Sequence, residues 1–265
     1  MRIDIAVVQR GLCPSRQKAK ELIVGGCVTV NGSKVVKPSF ETAESDIIAV
    51  SGGEMKYASR AGYKLEHASK VFDVSFQNLV CADIGASTGG FTDFMLQNGA
   101  KKVYAVDVGH DQLAKRLVDD ERVKNIEGVN VKQLCKGFFE DRIDIMTADL
   151  SFISLKTAMP FMLSSLEKGA KLLLLIKPQF EAGRQAVSKG GIVKDKKAHV
   201  CVINEVCNAA AQGGCAVVGV THSPIKGGDG NIEYLLYAVY DETAETCIVD
   251  SENIVRNAFE TLKSI

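Results

Sequence analysis

Gly85-Ala-Ser-Thr-Gly-Gly90 lies between the apolar run Leu79–Ile84 and the helix-like Phe91–Leu96. A strand, a glycine turn and a helix start bring backbone amides close to a ligand at the carboxyl edge of a sheet. A second apolar run ends in Asp107, about twenty residues on, where a carboxylate accepts ribose hydroxyls. Ser87 stands where the second glycine of the dinucleotide fingerprint belongs. Loop and acid together point to a nucleoside cofactor. Three more polar residues sit at or near the ends of apolar runs: Asp149 after Ile143–Ala148, Lys177 after Leu172–Ile176, and Glu233 within Gly230–Leu236. A lysine that closes so apolar a run, directly before Pro178, is unlike a casual surface charge, although its stem could snorkel to solvent. Asp149 also reads as a helix-capping acid, and Glu233 as a surface carboxylate on an edge strand.

Positioning these residues takes a sheet. From Leu79 onward the pattern predicts strands near 79–84, 102–107, 123–126, 143–149, 170–177, 215–222 and 232–240. Helices are expected near 90–98, 110–118, 155–166, 195–211 and 251–263, with Val200, Ile203, Cys207 and Ala210 at helical spacing in the fourth. Such alternation predicts an α/β fold, a Rossmann-like, doubly wound sheet of seven strands with ligands at the strands' carboxyl ends. Ser59–Leu65 leads into a further helix to about Phe72. Residues 51–57, Ser-Gly-Gly-Glu-Met-Lys-Tyr, read as a linker. The expected division is therefore 1–50, 51–57 and 58–265.

The first fifty residues have a different character. Two short helices are expected, Arg2–Gln9 and Arg16–Val24, the second capped by Ser15 after Pro14. Cys27–Val36 reads as a hairpin on an Asn31-Gly32 turn. Residues 1–40 hold seven Lys and Arg against Asp4 and Glu21, a surplus of five, in a chain of zero net charge. A basic end on an acidic remainder suggests an anionic partner for that end. Arg16 and Lys20, one helical turn apart, present cations as phosphates require. The pattern Ser15-Arg16…Ala19…Leu22-Ile23…Gly26…Val28…Val30-Asn31-Gly32…Lys37-Pro38-Ser39 resembles the S4-like RNA-binding domain. RNA contacts are expected at Arg2, Arg16, Lys18, Lys20 and Lys37, and at Arg60 beyond the linker. The alternative is a small basic appendage used for subunit contact.

Other classes find little support. The eight cysteines form no C-x-x-C pair and no zinc spacing, as expected of reduced core thiols in a cytoplasmic protein. The four histidines are scattered, so neither a metal site nor a histidine-based triad is expected. Met1-Arg-Ile-Asp opens no signal-peptide core. The most apolar window, Leu172–Ile176, is far too short to span a bilayer. A membrane or pore-forming role has no physical basis here.

Four stretches together, Ser59–Lys64, Asp83–Thr92, Ala148–Phe152 and Ile176–Glu181, resemble the TlyA family over essentially the whole chain. That family joins an S4-like domain to an FtsJ-like methyltransferase domain and is often labelled hemolysin. The resemblance implies methyl transfer from S-adenosylmethionine to a ribose 2′-hydroxyl of ribosomal RNA, free or within a subunit. It implies a catalytic tetrad at Lys64, Asp149, Lys177 and Glu233. For the cofactor it implies Asp83, Gly85, Ser87, Thr88, Gly89, Gly90, Asp107 at the ribose, Asn130 near the adenine, and Asp149. The chain departs from some members in Glu54-Met-Lys-Tyr57, where they carry an Arg-Ala-Trp type of linker.

Elementary chemistry is consistent with this assignment. Displacement at a sulfonium cancels charge as the oxygen attacks, so a dry, positioned site favours it. A ribose hydroxyl is a poor nucleophile until a base accepts its proton. Lys177 serves as that base only when its amine is neutral; burial and the neighbouring Lys64 favour that form, while Asp149 and Glu233 favour and orient the ammonium. Lys64 would chiefly place the ribose and its phosphate. Residues 183–199, glycine-rich and basic, read as a mobile loop over the RNA or as a plain solvated loop. Two other readings stay open. A nicotinamide-dependent oxidoreductase would use the Gly85 turn and Asp107 but leaves Lys64, Lys177 and the basic end unexplained. A non-catalytic RNA-binding assembly factor would need the basic end alone.

Overall fold

Ile3, Ala6 and Val7 recur on one face of α1 (Ile3–Gln9), and Ala19, Leu22 and Ile23 on one face of α2 (Arg16–Val24). The two helices share a small core with Val28, Val30, Val35 and Ile48. Strands β1 (Val28–Val30) and β2 (Ser33–Val35) form the expected hairpin. Its turn needs two residues in the left-handed region, and Asn31 (φ 51°) and Gly32 (φ 80°) supply them. A third strand, β3 (Ile48–Val50), pairs with the other edge of β1. The sequence reading missed it, because a run that short carries no turn signal tying it to a partner. This computed structural model describes residues 1–50 and 56–264. The chain divides into two units, Met1–Lys56 and Tyr57–Ile265. Of the expected linker, residues 51–55 lie outside the described residues. Tyr57 is buried in the second unit, its ring 5.3 Å from that of Tyr63 and 5.6 Å from that of Phe94.

The second unit begins with α3 (Ala61–Val71) and alternates from there. Its strands are β4 (Val80–Ile84), β5 (Lys102–Val106), β6 (Val123–Ile126), β7 (Ile145–Ala148), β8 (Lys171–Ile176), β9 (Ala216–His222) and β10 (Tyr234–Val239). They form one sheet in the order β6-β5-β4-β7-β8-β10-β9. β4 to β8 run parallel, while β10 is antiparallel to both its neighbours. Glu233, just ahead of β10, therefore does not lie on an edge strand. Both faces are covered, which is why β8 is apolar at successive positions. Leu172, Leu174 and Ile176 enter the core with α6 (Leu155–Ser164), α8 (Lys196–Gln212) and α9 (Ser251–Thr261). Leu173 and Leu175 enter the opposite one with α3 and α4 (Gly90–Gln97).

Two elements differ from expectation. The helix expected over 110–118 shrinks to α5 (Lys115–Val118), because Asp111 takes φ 54° and breaks the turn. A one-turn helix α7 (Pro178–Glu181) follows Lys177 directly. Its proline suits the first helical position, where no amide is needed. Buried Glu181 ties it down by accepting from Ser154 Oγ and Leu155 N–H, both at 2.6 Å.

Candidate active site

The loop after β4 is fixed by backbone geometry. Gly85 has φ 82°, and a Cβ there would stand 2.7 Å from the Asp149 carbonyl oxygen, so no larger residue fits. Gly89 caps α4 from the left-handed region at φ 92°. Ser87 is left-handed as well, at φ 47°, which a non-glycine residue holds only at some cost. Its amide donates to Asp107 Oδ2 at 2.7 Å, and the Gly109 amide donates to Asp107 Oδ1 at 2.7 Å. Each of those oxygens keeps a lone pair for a hydroxyl. Thr88 accepts the Ala114 amide on its carbonyl, and Gly90 closes onto Ser59 and Ala61. The Val129 amide donates to the Asp107 carbonyl, which draws Asn130 to the same strand end. Asn130 caps a 3₁₀ turn there, accepting from Lys132 N–H at 3.0 Å.

Asp83 lies beneath this loop, fully buried. Its Oδ2 accepts from the Thr92 amide and hydroxyl at 2.9 and 2.7 Å, and Thr147 Oγ1 is 3.2 Å from Oδ1. The carboxyl thus braces the end of β4 against the start of α4. Burial pushes it up to about 7, Thr92 opposes the shift, and nearby Asp149 adds to it. A raised value means that the folded protein holds a proton the unfolded chain has released between 3.8 and about 7. This group's stabilisation is present below that window and is lost as pH rises through it. Asp83→Asn, which imitates the protonated acid, should flatten the fall in urea midpoint across that window. An unchanged slope would locate the proton elsewhere.

Four charged residues at the sheet edge where β4, β7 and β8 end form two ion pairs. Lys64 Nζ, on α3, lies 2.5 Å from Glu233 Oε2, with both side chains nearly sealed from solvent. Lys177 Nζ lies 2.5 Å from Asp149 Oδ1, a charge contact without hydrogen-bond geometry, and donates to Ser151 Oγ at 3.0 Å. Asp149 is held by its own amide, which donates to the Ile84 carbonyl at the end of β4. Glu233 stands one step beyond the last β10–β8 pair, Tyr234 with Ile176, and so comes level with Lys177. Its carboxylate nonetheless turns to Lys64. Oε1 packs over Gly227, where a Cβ would come within 2.5 Å. Two cations and two anions thus share a strand-end site directly beside the Gly85 loop.

Known proteins share this sequence and fold. A family profile described as FtsJ-like methyltransferase matches residues 57–240, and an S4 domain profile matches residues 1–48. The 16S/23S rRNA (cytidine-2'-O)-methyltransferase TlyA of Mycobacterium tuberculosis is 41% identical over 239 residues, covering 89% of this chain and 88% of that protein. The chain belongs to the TlyA family. Hemolysin A of Brachyspira hyodysenteriae is 46% identical over 240 residues, covering 90% of this chain and all of that protein. A solved structure of a hemolysin-type protein from Streptococcus thermophilus superposes with a TM-score of 0.80 at 38% identity, covering 100% of this chain and 97% of that one. Among the described residues of this family member, no helix is long and apolar enough to cross a membrane, and no group of His, Cys, Asp and Glu could hold a metal ion.

In the S4 unit the expected cations do not all face solvent alike. Arg2 Nε and Arg16 Nη2 each lie 3.0 Å from the carboxylate of fully buried Asp4. Burial pushes Asp4 up, but the Arg16 and Arg2 guanidiniums outweigh it and hold the carboxyl below its usual range. Both guanidiniums stay about half exposed. Lys20 and Lys37 are exposed and Lys18 is partly buried; Arg60, in the second unit, is partly buried too. One further residue escaped the sequence reading. Phe152 is 92% exposed and takes φ 64°, and its ring lies 5.3 Å from that of Phe180. A bulky residue in the left-handed region is a genuine outlier. Its signal was present in the sequence, as a lone aromatic within Leu150-Ser-Phe-Ile-Ser154 directly after a strand-end acid.

Proposed function

We propose that the protein transfers a methyl group from S-adenosylmethionine to a ribose 2′-hydroxyl of ribosomal RNA, with Lys177 as general base. The observation that carries this reading is the buried Lys177, paired with Asp149 beside the glycine loop and level with the Lys64–Glu233 pair. The TlyA relative, named as an rRNA cytidine-2'-O-methyltransferase, supports the same chemistry, and the S4 unit supports an RNA substrate.

The loop suits a nucleoside cofactor. Gly85 lets the loop close against the Asp149 backbone, and both Asp107 oxygens keep acceptor capacity for ribose hydroxyls. Asp107, the Gly85–Gly90 backbone and Asn130 would hold it, with Asp83 bracing the loop from below. When bound, S-adenosylmethionine supplies a methyl carbon on a sulfonium, open to displacement by an oxygen nucleophile. Lys64, fixed by Glu233, positions the ribose and its phosphate. Asp149 aims Lys177 Nζ, and the amine takes the proton from the 2′-hydroxyl as the oxygen attacks. Phe152 offers an exposed aromatic face on which the target base stacks once it leaves its neighbours.

Calorimetry tests the cofactor reading directly. S-adenosylmethionine should bind and NAD should not; the reverse result would sink the proposal. Asp107→Ala should weaken S-adenosylmethionine binding by about tenfold or more, the cost of a lost acceptor for two hydroxyls, and leave RNA affinity intact. Unchanged cofactor affinity would remove Asp107 from the site. Base–aromatic stacking contributes about 1–3 kcal/mol, so Phe152→Ala should lower kcat/KM for RNA by about 5- to 150-fold. Phe152→Tyr should recover it, and equal losses in both variants would argue against stacking.

A further inference from the structure

We propose that residues 184–194 form a preshaped phosphate-contact arm of the catalytic unit, in which Arg184, Lys189 and Lys194 meet the RNA backbone flanking the target ribose. The inference rests on an RNA substrate, as argued above.

Three observations carry it. First, the segment is a built turn. Val187 bridges Val193, the Ser188 amide donates to the Ile192 carbonyl, and the Gly191 amide donates to the Ser188 carbonyl. Second, buried polar side chains hold the turn from below. Asn231, fully buried, accepts from the Val193 amide at 3.1 Å and donates to the Gly191 carbonyl at 2.9 Å. His199, also fully buried, has Nε2 2.9 Å from the Val193 carbonyl, so that nitrogen must donate. Nδ1 then accepts from the Tyr234 hydroxyl at 2.8 Å. Burial pushes the imidazole down, although the Val193 carbonyl opposes it, and this favours the neutral ring. Third, the latch belongs to the catalytic edge. Asn231 precedes Glu233 by two residues, Tyr234 follows it, and Arg184 comes seven residues after Lys177.

The cations themselves are unspent. Arg184, Lys189 and Lys194 are exposed, and none forms an ion pair among the described residues. A solvated loop would have no use for two buried side chains devoted to its carbonyls and amides. A phosphate-binding arm does, because prior ordering lowers the cost of fixing lysines on a ligand.

The test uses the full chain and ribosomal RNA, both deproteinised and within isolated ribosomal subunits. Lys189→Gln/Lys194→Gln should raise KM for the RNA about tenfold and flatten its salt dependence, since each lost phosphate contact removes about 0.7–0.9 from the log–log slope. S-adenosylmethionine affinity should hold, so the loss falls on KM rather than on kcat. Asn231→Ala should raise KM as well, and the lysine changes should then add less than they do alone. The lysine pair is solvent-exposed and reads out even if Asn231→Ala fails to fold. An unchanged KM and salt slope in the lysine variant, with active parent protein, would overturn the arm alone. No transfer by the parent would overturn the functional reading and the arm with it.

Discussion

Lys177→Ala is expected to abolish methyl transfer, lowering the single-turnover rate at saturating RNA and cofactor by about 10²- to 10⁴-fold, the usual worth of a general base. Binding of both substrates should survive, because the proton moves only in the transition state. Lys177→Arg should fail almost as badly. A guanidinium stays charged at any working pH and cannot accept the proton, even though it could still pair with Asp149. Near-parental rates in Lys177→Arg would reduce Lys177 to an electrostatic clamp. The base would then have to lie elsewhere.

The second large effect falls on stability as well as rate. Glu233→Ala leaves the Lys64 ammonium sealed from solvent with its 2.5 Å partner gone. Breaking a buried pair in this way costs about 3–5 kcal/mol, which for a unit of this size lowers Tm by about 6–20 °C. The catalytic rate should fall too, because Lys64 is no longer held against the ribose. Lys64→Met/Glu233→Leu separates the two roles. Replacing both charges with apolar groups should recover most of the lost Tm, yet transfer should stay low. A double variant as unstable as the single one would show that packing, and not the stranded charge, is what Glu233→Ala disturbs.

Much of this was legible in the sequence. The strands were, because a sheet covered on both faces turns buried residues into continuous apolar runs such as Leu172–Ile176. The Gly85 loop and Asp107 were legible because close backbone approach leaves glycines behind, at Gly85 and Gly89. The pairing of the four charged residues was not. Its pattern depends on β10 entering antiparallel between β8 and β9, and on Glu233 turning to Lys64 rather than to Lys177. Periodicity carries no information about either. Asp83 read as a cofactor contact, whereas its oxygens meet Thr92 and Thr147, a partnership set by the sheet's register. Phe152 was overlooked because a lone aromatic after a strand-end acid does not by itself reveal its exposure or its left-handed backbone.

The central claim is a reaction at a ribose. Its most direct measurement is to map 2′-O-methyl groups on ribosomal RNA incubated with S-adenosylmethionine and either the parent protein or Lys177→Ala. The account predicts at least one new 2′-O-methyl with the parent and none with the variant. A methyl that appears on a base, or a 2′-O-methyl that Lys177→Ala installs as well, would contradict it.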